Sequence, residues 1–235
     1  MQIELPISKS IANRLLILQA IHGDGLITVS ACGVPDDARI VGCFDLPEDV
    51  QILHRALTTL HHSTQRYTTL NLSNCGTAMR FLTAYAAQLE NKVTVLDGVE
   101  RMRHRPIGQL VDALRSIGAQ IEYLGEEGFP PLRIKGCILD KDRIITLDNP
   151  QSTQFVSALL LIGANVQTNS TSPYITLTRE IIESYLQRVK RANYSEQSER
   201  TTAQRSTVSI ANELEKDWSS AAFWYEYVAL HGGEI

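Results

Sequence analysis

Three short polar stretches, each running directly into an apolar helical segment, constrain this chain more than any other feature. They are Ser8-Lys9-Ser10, Asn74-Cys75-Gly76-Thr77 and Gln151-Ser152-Thr153-Gln154. Apolar residues at helical spacing follow the first (Ile11, Leu15, Leu16, Leu18). A second helix is predicted from Ala78 to Glu90 and a third from Phe155 to Ile162. Around each opening recurs the order polar loop, helix, strand, helix, two strands, at a period of roughly 70 residues. Identity between the copies is poor, so architecture repeats and wording does not. The start of a helix carries unpaired N–H groups and a partial positive charge, which together attract anions. Three such openings, brought together by pseudo-threefold symmetry, make a site for a ligand with more than one negative charge. Lys9, Arg14 and Arg105 would add cations. Arg14, four residues after Ser10, shares its helix face and suits a phosphate or carboxylate.

The rest of the chain supplies connecting elements. Pro6 keeps Leu5 out of the helical region, and Ser8 is a candidate N-cap for a helix over 9–22. Gly23-Asp24-Gly25 ends that helix, and Leu26–Ser30 reads as a strand. Residues 31–47 fit no element, and Asp49–Leu57 returns to helical spacing. A strand over Lys92–Leu96 leads to a turn at Asp97-Gly98. Pro106 stands where a first helical residue would, before a helix through Leu110, Leu114 and Ile117 that stops at Gly118. Ile121–Leu124 and Leu132–Lys135 form a predicted strand pair around Gly125–Pro131. Tyr174–Val189 reads as a long helix, 190–206 as a polar loop with a weak strand, Thr207–Ile210 as a strand and Ser219–Leu230 as a last helix.

Composition narrows the function classes. A net charge of −4 argues against nucleic-acid binding by bulk charge. No apolar run reaches the ~20 residues that span a bilayer, and no signal-peptide pattern opens the chain. Cys32, Cys43, Cys75 and Cys137 lack zinc-ligand spacing, and the six histidines show no metal spacing either. A cytoplasmic protein with reduced thiols and no metal is the expectation.

Seven motifs run along the chain. The first three are Leu5-Pro6-x-Ser8-Lys9-Ser10-x-x-Asn13-Arg14, Asn74-x-Gly76-Thr77-Ala78-Met79-Arg80 and Arg101-Met102-Arg103-x-Arg105-Pro106-Ile107-Gly108. Then come Pro130-Pro131-Leu132, Ser152-Thr153-Gln154-Phe155, Pro173-Tyr174-Ile175 and Asp217-Trp218-Ser219-Ser220-Ala221. By these motifs, in their order, the chain resembles the 5-enolpyruvylshikimate-3-phosphate synthase family of enolpyruvyl transferases. The resemblance implies an α/β fold: an inside-out α/β barrel lobe of three βαβαββ units, helices within and sheets outside. Residues 8–216 would be that complete lobe. Residues 1–7 and 217–235 would be the ends of a second, mostly absent lobe.

The implied reaction moves the enolpyruvyl group of phosphoenolpyruvate to the 5-hydroxyl of shikimate 3-phosphate, with no metal or organic cofactor. Carried over by motif, Lys9, Ser10, Arg14, Ser152, Thr153, Gln154, Thr171 and Tyr174 would hold shikimate 3-phosphate. Lys9, Asn74, Gly76, Arg105 and Gln154 would hold phosphoenolpyruvate. Thr153 replaces a serine of the family pattern and Cys75 an alanine. The acid and base residues of the family would lie beyond Ile235, so this chain is expected to bind substrates without turning them over. The resemblance implies no membrane or nucleic-acid partner. Trp218 and Trp224 are expected to leave an apolar patch in 217–235 that favours self-association. Two other readings stay open here. One is a UDP-N-acetylglucosamine enolpyruvyl transferase; the other is a non-catalytic phosphate-binding protein.

Overall fold

The computed structural model describes residues 8–23 and 46–198, with side chains described up to 187 and at 189 and 190. Expectations for Leu26–Ser30, most of 31–47, Thr207–Ile210, Ser219–Leu230, and the segments 1–7 and 217–235 lie outside the described residues. So does the proposed self-association patch.

Helix α1 spans Lys9–His22 and closes on Gly23, whose φ of 70° is the left-handed conformation that glycine adopts without strain. Helix α2 (Glu48–His62) is longer than its periodic core. Strand β1 (Tyr67–Asn71), helix α3 (Gly76–Ala87) and strand β2 (Val93–Asp97) follow. Next are a short α4 (Glu100–Arg103), α5 (Gly108–Ser116), β3 (Gln120–Tyr123) and β4 (Leu132–Lys135). Strand β5 (Ile145–Thr146), α6 (Thr153–Leu161), β6 (Val166–Gln167) and α7 (Pro173–Ser198) complete the described order.

Residues 67–135 contain a whole βαβαββ unit. Its sheet has the order β1-β2-β4-β3. Strands β1 and β2 run parallel with Leu70 opposite Leu96, and α3 is their crossover. The remaining pairs are antiparallel, with Ile121 opposite Ile134. Strand β4 alternates buried Leu132 and Ile134 with exposed Arg133 and Lys135, the mark of a sheet with one solvated face. The inner face packs on helices. Helix α3 is apolar almost all round, which suits a helix enclosed by others. Leu82, Phe81, Phe155, Leu159, Ile17 and Leu53 are fully buried between α1, α2, α3 and α6. Helices therefore lie inside the sheet.

A second parallel pair, β5 with β6, flanks α6. Only residues 63–66 separate α2 from β1, so no closing strand pair follows α2 as the repeating pattern anticipated. Strands β1, β5 and β6 are short and mixed in polarity, and periodicity did not reveal them. Three boundaries also differ. The helix expected at Pro106 begins at Gly108: Ile107, at φ −137°, is its non-helical cap, and the Ile107 N–H donates to the Gly128 carbonyl (2.8 Å) in the β3–β4 loop. The helix expected over Ala78–Glu90 runs Gly76–Ala87; a turn then puts Asn91 at φ 63°. Helix α7 continues to Ser198 through the start of the expected polar loop. Lys, Arg, Gln and Glu favour helices as readily as loops, so polarity alone misled there.

Candidate anion site at the helix openings

The openings of α3 and α6 face each other across the helix layer. Cys75 caps α3: its Sγ accepts from the Ala78 N–H at 3.4 Å and donates to the Asp49 carbonyl at 3.8 Å. Burial pushes the Cys75 thiol up to about 11, so it stays protonated at neutral pH. Ser152 caps α6 through the Gln154 N–H (3.3 Å). Gln154, on the first turn of α6, reaches α3 twice. Its Nε2 donates to Thr77 Oγ1 (3.0 Å), and its Oε1 accepts from Arg80 Nη1 (3.2 Å).

Gly76 is the floor of this place. A Cβ there would lie 2.5 Å from Arg80 Nη1 and 2.6 Å from Arg105 Nη1, so the missing side chain makes room for two guanidinium groups. Among the described residues no carboxylate forms an ion pair with either arginine. Burial, and then the charge of Arg105, lower the Arg80 pKa. Two like charges held together without a counter-charge are unfavourable by themselves, and an anion between them relieves that. Arg80 also stacks on Phe155 at 5.5 Å.

Arg14 is in a different situation. It is only 3 % exposed and spends its donors on protein. Nε donates to Thr178 Oγ1 (2.7 Å), and Nη1 to the Ser10 carbonyl (2.7 Å). Nη2 donates to Ser157 Oγ (3.2 Å) and to the Tyr174 carbonyl (3.4 Å). Ser157 and Thr178 bond each other at 2.9 Å. Burial lowers the Arg14 pKa to about 10, and among the described residues no acidic side chain forms an ion pair with it. With five N–H donors on a guanidinium, one Nη1 hydrogen is left for a ligand.

The remaining expected residues are spread around these two clusters. Lys9 is exposed on the first turn of α1, and Ser10 beside it is half-buried. The Ser8 side chain makes no capping bond, although its backbone is extended as a cap requires. Asn74 is exposed just before Cys75. Thr153 is half-buried on the first turn of α6, and Thr171 is exposed in the loop before α7. The Tyr174 ring is 54 % exposed, while its carbonyl serves Arg14 and Thr178. Arg103 pairs with Asp97 at the surface (2.7 Å), and Arg101 is exposed.

Arg80, Thr77, Ser157 and Thr178 belong to these clusters and were not singled out from the sequence as site residues. Arg80 carried a usable signal, since it lies four residues after Gly76 on the same helix face. Ser157 was visible as a hydroxyl inside the apolar run Phe155-Val156-Ser157-Ala158-Leu159. Among the described residues no group of three His, Cys, Asp or Glu side chains could hold a metal ion. None of the described helices is long and apolar enough to cross a membrane.

Comparison with known proteins adds to this geometry. The 3-phosphoshikimate 1-carboxyvinyltransferase of Bacteroides fragilis strain YCH46 is 36 % identical over 239 residues, covering 97 % of this chain and 52 % of that protein. The protein of the same name from Vibrio cholerae serotype O1 strain M66-2 is 37 % identical over 265 residues, covering 100 % of this chain and 58 % of that protein. The chain thus spans little more than half the length of these curated relatives. The solved EPSP synthase of Acinetobacter baumannii has the same fold, with a TM-score of 0.53 at 22 % identity over 75 % of this chain and 42 % of that one. The family model for EPSP synthase (3-phosphoshikimate 1-carboxyvinyltransferase) matches residues 1–235, and this chain belongs to that family.

Proposed function

We propose that this chain forms the shikimate 3-phosphate-binding lobe of an enolpyruvyl transferase. The reaction is transfer of the enolpyruvyl group from phosphoenolpyruvate to the 5-hydroxyl of shikimate 3-phosphate, with release of phosphate. Residues 8–216 make the lobe, and 1–7 with 217–235 contribute to its partner lobe. Ser10, Ser152, Thr153, Thr171 and Tyr174 hold shikimate 3-phosphate by hydroxyl groups, and Arg14 by its one unspent hydrogen. Lys9 and Gln154 reach both substrates. Asn74, Gly76 and Arg105 hold phosphoenolpyruvate, with Gly76 letting the anion approach the backbone. The chemistry needs proton transfers and charge stabilisation rather than a resident cofactor.

The observation that carries this reading is the pair of unpaired guanidinium groups, Arg80 and Arg105, over Gly76 and beside the Gln154 carboxamide. The names of the relatives favour shikimate 3-phosphate over a UDP-sugar acceptor, and over a role without catalysis. Calorimetric titration of the chain with shikimate 3-phosphate is the test. Saturable binding that weakens about tenfold or more in Ser152→Ala is expected, because that change removes both a ligand hydroxyl and the α6 cap. Equal binding of UDP-N-acetylglucosamine, or none of shikimate 3-phosphate, would refute the substrate assignment.

A further inference from the structure

Gln154 has a chemical ambiguity that its position must resolve. A carboxamide is nearly symmetric in shape, with an acceptor oxygen at one end and a donor NH2 at the other. Its last torsion is broad and roughly two-fold, so either end can face a ligand unless something holds it. For an anionic ligand the difference is decisive, because the NH2 attracts it and the oxygen repels it.

Arg80 supplies the constraint. Its guanidinium carries donors only, so the end of Gln154 that faces it must be the oxygen. The Arg80 Nη1 to Gln154 Oε1 bond is 3.2 Å, and the opposite end donates to Thr77 Oγ1 at 3.0 Å. One Nε2 hydrogen remains without a protein acceptor among the described residues. Arg80 is held in turn by the Phe155 face and by Gly76, which leaves its Nη1 the space a Cβ would take. Among the described residues no carboxylate is paired to it, and its charged donor serves Gln154.

We propose that Arg80 is the positioning residue for Gln154: by bonding Oε1 it keeps the remaining Nε2 hydrogen toward the ligand, so that Gln154 meets an anion as a donor. Arg80 acts through Gln154 and need not touch the ligand. The ligand half of this statement rests on the substrate reading above; the orienting half does not.

The test uses the whole chain with Arg80→Met, Arg80→Lys, Gln154→Ala and the Arg80→Met/Gln154→Ala pair. Two quantities are read: shikimate 3-phosphate affinity, and the side-chain NH2 signals of Gln154 in the amide NMR spectrum, assigned by their loss in Gln154→Ala. The two protons of any carboxamide are distinct because rotation about its C–N bond is slow, so their shifts and NOE contacts report where the group sits. In the wild type and in Arg80→Lys, which keeps a donor, both signals should lie away from free-carboxamide positions and show NOE contacts to Thr77. In Arg80→Met they should move to free-carboxamide positions and lose those contacts. Affinity should fall about tenfold in Arg80→Met, the worth of one hydrogen bond to a charged group, and much less in Arg80→Lys. In the Gln154→Ala background Arg80→Met should cost nothing further. Unchanged Gln154 signals in Arg80→Met, or the same affinity loss with and without Gln154, would overturn the proposal. A wild type that ignores shikimate 3-phosphate, while its Gln154 signals still depend on Arg80, sinks the substrate reading and upholds the orienting role. If Arg80→Met does not fold, Arg80→Gln replaces it, since its carboxamide can face Gln154 either way round.

Discussion

Arg14 and Arg80 stand on neighbouring helices with opposite arrangements of the same guanidinium group. Arg14 is enclosed by hydroxyl and carbonyl acceptors from α1, α6 and α7, and so ties three helices together at one point. Replacing it with Met removes four donated bonds, but leaves Ser157 and Thr178 bonded to each other. The expected cost is about 2–3 kcal/mol of stability, from bonds to a charged group whose neutral acceptors are partly re-satisfied. Urea denaturation should show it as a lower midpoint with an unchanged slope. A midpoint equal to the wild type would mean that Arg14 serves only the ligand. Cys75 shows how far one atom type can be exchanged at a cap. A sulfur accepts the Ala78 N–H where a hydroxyl or carboxylate oxygen usually does, and its raised pKa keeps it unreactive.

The chain just after β4 passes close to the end of α3. The Gly136 N–H donates to the Lys92 carbonyl (2.9 Å) and the Cys137 N–H to the Ala87 carbonyl (3.0 Å), so this backbone lies against the helix C-terminus. A Cβ at Gly136 would run into the Leu89 carbonyl, and neither backbone can give way without moving a strand or a helix. Gly136→Ala is expected to cost about 2–3 kcal/mol, as overpacking with backbone shifts does. Thermal unfolding should record that as a midpoint several degrees lower, whereas Gly125→Ala, which meets only the Pro131 ring at 3.6 Å, should change little. If the two variants melt together, the close approach of β4 to α3 is wrong. Because α3 carries Gly76, Thr77 and Arg80 at its other end, a shift of α3 would reach the anion site as well.

At the scale of the molecule, helices enclosed by a sheet bring positions far apart in sequence to one place. Gly76, Arg105 and Gln154 come from three different helix approaches, and all of them face the space over Gly76. What gathers there is cationic or neutral. No described carboxylate is bonded to Arg80, Arg105 or Gln154. A reaction that moves protons needs an acid and a base within hydrogen-bond reach of its substrates. No described carboxylate stands there to take that part, and we propose that these 235 residues, assayed with both substrates, bind shikimate 3-phosphate without release of inorganic phosphate. Phosphate release at a rate typical of enzymes would show that the protons are handled inside this chain.

Much of this was legible in the residues. Helical spacing located α1, α3, α5, α6, the centre of α2 and most of α7, because apolar residues recurring every three or four positions over nine residues or more form one face of a helix. The strand pair expected at Ile121–Leu124 and Leu132–Lys135 is found at Gln120–Tyr123 and Leu132–Lys135, its first strand one residue earlier than expected. The motifs placed Gly76, Gln154 and Arg105 in one list of candidates, and the structure brings those three together. Tertiary structure alone decided the rest. It decided that Arg14 faces inward to Ser157 and Thr178, while Arg80, on no list, turns to Gln154. It also decided that Ile107 caps α5 and gives its N–H to Gly128. Local sequence sets which groups need a partner; which partner each one finds depends on packing between segments dozens of residues apart, and no window along the chain contains that information.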